Sequence, residues 1–134
     1  MRPARAVGNG SRVLKNGDDI APSASALFAI LWNALADMLG TAAAAAIVRR
    51  AAGRAASHHP ELVQLVVLRE ELEYRYTLPE SWMNGGRVPT GLHVLVAEIG
   101  GLLVELTGTV VVRHLEGIPE LRASKLVWRK EEET

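Results

Sequence analysis

Cysteine is absent from this chain. A disulfide framework, a thiolate zinc site and a cysteine nucleophile are therefore all excluded, and a reducing cytoplasm is the expected setting. An excess of one charge is missing as well. Fifteen basic and fifteen acidic residues leave a formal net charge of +0, so no net field draws the chain towards nucleic acid or an anionic membrane. Aromatic residues are scarce, with one Phe, two Tyr and three Trp, and five of these six enter the candidate site described below. The first twenty residues hold no apolar run, which argues against a secretory leader. Asn84-Gly85-Gly86 lacks the lysine and the helix that a phosphate loop requires.

Much of what is present is aliphatic. The 134 residues are enough for one domain with its own core: residues 22–129, after an arm at 1–21 and before a charged tail at 130–134. Ala26 to Val48 is long and mostly apolar, and Arg49-Arg50 follow it as they would follow a membrane span. In that setting Asp37 would lie near the bilayer centre at a cost of roughly 2.5–3.5 kcal/mol, with Asn33 and the Gly40-Thr41 break close by. Two helices of a soluble domain are expected instead.

In the arm, Arg12-Val13-Leu14-Lys15 before Asn16-Gly17 reads as a short strand and turn. Pro22 with Ser23 or Ser25 supplies a helix start, and Leu27, Ile30, Leu31, Leu35, Met38 and Leu39 recur at helical spacing. Phe28 and Trp32 lie on an adjacent stripe, so this helix should be buried on two sides. Gly40 is placed to end it with a left-handed cap, and Thr41 to cap the next helix. Ala42 to Ala56 reads as a closely packed alanine strut. Its outer edge is basic, through Arg49, Arg50 and Arg54, and reads as a solvated face. Leu62 to Arg69 is short and rich in branched residues, as a buried strand would be. Leu72, Tyr74, Tyr76 and Leu78 alternate along a second strand, completing a hairpin. Pro79 to Pro89 is a loop whose Trp82 either lids an apolar cavity or plugs the core. Thr90 begins a long helix with Leu92, Leu95, Val96, Ile99, Leu102, Leu103 and Leu106 on one side. Ala97, Gly100 and Gly101 form a small-residue stripe expected to dock on the alanine helix. Gly108 closes it, and Thr109–Leu115 and Ser124–Arg129 read as a C-terminal strand pair, with Leu126 and Trp128 on one side. The expected fold is α+β: two N-terminal helices, a β-hairpin, a long helix and a C-terminal strand pair, forming a small antiparallel sheet against a helical layer.

Three stretches carry a resemblance: Ser25-Ala26-Leu27 through Leu31 and Leu35 to Gly40; Ala45 to Arg54; and Val96 to Leu106 continuing through Thr107 to Val112. In them the chain resembles the 4-vinyl-reductase domain family, which is related in fold to TRAPP subunits and to the N-terminal sensor domains of aromatic-responsive bacterial activators. The resemblance implies a module that binds a small apolar molecule between helices and sheet, often as a dimer and often within a regulator. Members commonly carry cysteines in the last strand pair. Glu116 to Trp128 has none, so cysteine-bound metal chemistry is not carried over. No output domain is attached in this sequence, so a sensory role would act through a separate partner protein.

The histidines do not make a metal set, because His58 and His59 are adjacent while His93 and His114 stand on separate elements. The carboxylates at Glu70, Glu71 and Glu73 and at Glu98 and Glu105 fall where solvated charge is normal. No nucleophile and base occur at a usable spacing, so nothing points to an enzyme, and no cofactor is implied. The leading expectation is a ligand-binding or sensing module with an apolar pocket lined by Phe28, Trp32, Tyr74, Tyr76, Trp82 and His93. The alternatives are a homodimeric interaction or scaffold protein using the same apolar surplus and, third, a small enzyme acting on a hydrophobic substrate.

Overall fold

A computed structural model describes residues 23–83 and 87–128. The first helix, α1 (Ala24–Leu39), starts at Ser23, whose hydroxyl accepts a hydrogen bond from the Ala26 amide at 3.1 Å. That satisfies one of the donors a helix start leaves open. Leu27, Phe28, Leu31, Trp32 and Leu35 are all buried, so α1 does turn two adjoining stripes inward. Gly40 ends it, donating its amide to the Ala36 carbonyl at 2.8 Å with φ 90° and ψ 157°. This extended, positive-φ conformation is open to glycine and costly for other residues. Gly40 itself caps α2 (Thr41–Ala55), and Thr41 makes no capping bond because it is already the first helical residue.

Alanine makes α2 narrow, and α2 packs on both α1 and the long helix α3 (Thr90–Thr107). Ala44, Ala45, Val48 and Ala51 are fully buried. The stripe on α3 divides into different roles. A Cβ on Gly100 would meet the Trp128 carbonyl oxygen at 1.6 Å, whereas one on Gly101 would meet nothing within 4 Å. Gly100 thus accommodates the C-terminal segment rather than the alanine helix.

The predicted strand at Leu62–Arg69 begins later. Pro60–Gln64 forms a 3-10 turn, with Pro60 in its first turn, and β1 covers Val66–Glu70. Here the fixed φ of proline outweighs the branched composition that follows. β2 (Glu73–Thr77) pairs antiparallel with β1, with Val67 opposite Tyr76, Leu68 opposite Arg75 and Arg69 opposite Tyr74. Leu72 does not join the inward row of Tyr74, Tyr76 and Leu78. It lies in the turn and is 87% exposed.

The C-terminal strand pair is not formed. Thr109–Leu115 is instead covered by helix α4 (Val110–Glu116), and α5 (Pro119–Ala123) follows it. Three consecutive valines favour a strand by propensity. The buried residues, however, are Val112 and Leu115, three apart, and contact with α3 and α1 decides the period. Pro119 is a helix start in the first turn of α5. Leu126 and Trp128 are both buried, as their shared side predicted. Among the described residues they have no strand partner, and the segment crosses α3 at Gly100.

The α+β class therefore stands, with five helices and one two-stranded antiparallel sheet among the described residues. The Arg12–Lys15 strand, the tail at 130–134 and Asn84-Gly85-Gly86 lie outside them. Gly40 splits the apolar stretch Ala26–Val48 into two helices. By length and composition alone α3 could cross a membrane, with a mean hydropathy of 1.4, and half of that stretch is buried inside the fold. A core helix has the same properties.

Candidate functional site

Four of the six predicted site residues come together. Phe28 and Trp32, one turn apart on α1, meet Tyr74 and Tyr76, which share the inner face of β2. The Phe28 and Tyr76 rings stand edge to face at 4.6 Å, and Trp32 lies 5.6 Å from Tyr76 and 6.3 Å from Tyr74. These are the spacings at which aromatic pairs attract beyond simple burial. Phe28 is 0% and Trp32 8% exposed, so the rings fill one another's space as core. Burial removes water from the Tyr76 phenol and raises its pKa above the usual tyrosine value.

Trp82 lies apart from this cluster, on a second 3-10 turn (Glu80–Met83), and is buried at 3% exposure. It is a core plug. Among the described residues its indole Nε1 has no hydrogen-bond partner, although the Glu61 carboxylate is close. A Cβ on Gly91 would lie 3.4 Å from that nitrogen and against Glu61 Oε2. Gly91 thus leaves room for a carboxylate at the N-terminal turn of α3, where helix charge favours it. His93 is partly exposed in the same turn, and among the described residues its side chain makes no hydrogen bond, ion pair or ring contact.

Open space lies elsewhere. A groove of about 320 Å³ runs between α2 and the chain entering β1, lined by Arg49, Ala52, Gly53, Ala56, Leu62, Val63, Leu65, Val66 and Val67. The four α2 residues recur at three, four and seven, so they form one helical stripe. Leu62, Leu65 and Val67 are buried, while Val63 and Val66 are 71% and 40% exposed on the rim. Gly53 lies inside α2, where glycine costs about 1 kcal/mol relative to alanine. A Cβ there would touch nothing within 4 Å, so neither its conformation nor a close neighbour requires a glycine.

Arg49 is the one charged residue of the lining. Its Nε and Nη2 donate to the Val67 carbonyl at 3.0 and 2.7 Å, and its guanidinium lies over the Tyr74 ring at 5.9 Å. The basic edge of α2 is therefore partly structural, because Arg49 ties the helix to the sheet. Sequence reasoning did not find this groove. Its signal is the small stripe Ala52, Gly53 and Ala56 in register with Arg49, and which face that stripe would meet was not written in the local sequence. No group of three or more His, Asp or Glu side chains is arranged to hold a metal among the described residues.

Fold and site together define a small α+β domain with an open aliphatic groove beside a packed aromatic cluster. No protein-family model, curated protein or solved structure matches the chain.

Proposed function

We propose that this chain is a small-molecule binding module that takes an apolar ligand in the groove between α2 and β1. Gly53 carries the proposal, because a glycine inside a helix with empty space above it keeps open a volume that an alanine or leucine would occupy at a gain in helix stability. The groove is at the small end of the roughly 300–1,000 Å³ that ligand sites span, and its lining is aliphatic with one polar group. The resemblance to the 4-vinyl-reductase domain family, with its apolar ligand, favours the same role. A cytoplasmic setting and output through a separate protein belong to the same proposal.

Titration with 1-octanol, followed by amide NMR shifts, tests it. Shifts are expected at Ala52, Gly53, Ala56, Val63 and Val66, and Gly53→Leu should abolish them while leaving the fold intact. Shifts that survive Gly53→Leu, or that occur only around Phe28 and Tyr76, would refute a ligand in this groove.

A second reading, a homodimer, is favoured by Val66 and Leu68, which are 40% and 54% exposed on the outer face of the β ribbon. Neighbouring apolar residues of this kind often mark a protein contact. Sedimentation should then show a dimer that Leu68→Asp converts to monomer. A wild-type monomer at the highest concentrations would rule this out.

A further inference from the structure

We infer that the ligand of the groove carries a carboxylate, and that Arg49 is its anchor; this rests on the ligand-binding reading above. The inference follows from the part of the guanidinium left unused. A guanidinium has five N–H donors in a planar fork. The Val67 carbonyl takes the edge formed by Nε and Nη2. The opposite edge, Nη1 with the second Nη2 hydrogen, keeps the two donors that a carboxylate accepts side by side.

No carboxylate among the described residues occupies that edge. The ion pair seen in the described part of the fold joins Arg75 to Glu70 at the hairpin, and among the described residues Arg49 has no acidic partner. Its plane is nonetheless fixed, by the Val67 carbonyl on one edge and by the Tyr74 ring beneath it. A cation held in this way loses little further freedom when an anion docks. The neighbouring lining residues Ala52, Gly53, Ala56, Val63 and Val66 are all apolar.

A charged fork beside an aliphatic trough matches an amphiphile with an acid head and a short hydrocarbon or aryl body. The trough alone would accept an alcohol equally well. The head selects among such molecules, because a hydrogen bond to a charged group contributes more than one between neutral groups. An amine head would meet a like charge and be rejected.

Octanoate, 1-octanol and octylammonium, titrated separately into the full chain at pH 7 and low salt, test the inference. Octanoate should bind about tenfold or more tighter than octanol, with octylammonium weakest. Arg49→Gln should erase the advantage of octanoate over octanol, so that the two bind alike whatever loss of the tie to Val67 does to both. Arg49→Lys keeps the charge without the fork and should fall between; it also serves if the glutamine variant does not fold. Equal binding of octanoate and octanol to the wild type would overturn the carboxylate assignment and leave the groove standing. Equal loss of all three ligands in Arg49→Gln would make Arg49 a purely structural tie and would also overturn it. If none of the three moves the Gly53 and Val66 amides, the groove itself is not a ligand site.

Discussion

Gly100→Ala is expected to destabilise the fold by about 2–4 kcal/mol, although alanine is the better helix former. The gain in helix propensity is about 1 kcal/mol. Against it, the new Cβ would lie 1.6 Å from the Trp128 carbonyl oxygen and 2.5 Å from its carbonyl carbon. Both are backbone atoms, so no rotamer change relieves the collision. The segment that crosses α3 must lift away, and with it the burial of Trp128, which is 2% exposed, and of Leu126. Truncating a buried tryptophan to alanine typically costs about 3–5 kcal/mol, and unseating Trp128 forfeits the same burial. Gly101→Ala is the internal control. It changes the same helix one residue away, where a Cβ meets nothing within 4 Å, and should stabilise by up to about 1 kcal/mol. Urea denaturation of the two variants, with the Trp128 indole resonance as a local probe, decides the matter. Equal stability of the two would mean that the C-terminal segment does not seat on Gly100.

That contrast also shows what could be read from the residues alone. The stripe Ala97, Gly100, Gly101 was legible as a close-contact surface, and its partner was not. Alanines on α2 were an equally good candidate, and the choice between a helix and a crossing backbone depends on the path taken by residues 124–128. The same division holds for other elements. α1 and its end at Gly40 follow from a helical period sustained over sixteen residues and a cap, both local features. β2 follows from strict alternation. Thr109–Leu115 reads as a strand because a seven-residue segment contains too few turns to display a helical period against three valines. Contact with α1 and α3 made it a helix. Tyr74 and Tyr76 could be assigned to one face, and Phe28 and Trp32 to another, so their meeting was foreseeable. Whether the rings would enclose a space or fill it depends on interlocking shapes, which no pattern of residue types records.

Arg49 shows the limit from the other side. In the sequence it stands with Arg50 and Arg54 on a helix edge, and a solvated face is the ordinary account of three such arginines. One of the three has the length and position to reach the Val67 carbonyl, because β1 lies beside that turn of α2. A site of this kind arises where two elements that are each unremarkable in pattern are brought side by side. The small residues of α2 give it a floor, and the chain entering β1 gives it a wall.

Phe28→Ala is expected to have the largest effect of all, a loss of about 3–5 kcal/mol from a total stability that for domains is roughly 5–15 kcal/mol. Phe28 is 0% exposed and makes the closest ring contact of the aromatic cluster. Its removal forfeits both its burial and the edge-to-face contact with Tyr76, the latter about 0.5–1.5 kcal/mol. Phe28→Leu keeps most of the volume and should lose mainly that second part. The pair of variants therefore separates packing from ring geometry in chemical denaturation. Phe28→Ala also tests whether the cluster is core or pocket. A dry apolar cavity of the size of a phenyl ring binds benzene, so benzene should raise the melting temperature of Phe28→Ala markedly and that of the wild type little. Amide shifts at Leu27, Leu31 and Tyr76 should follow the same order. If benzene instead moves those amides in the wild type, space already exists among the rings, and the aromatic cluster becomes the ligand site in place of the groove.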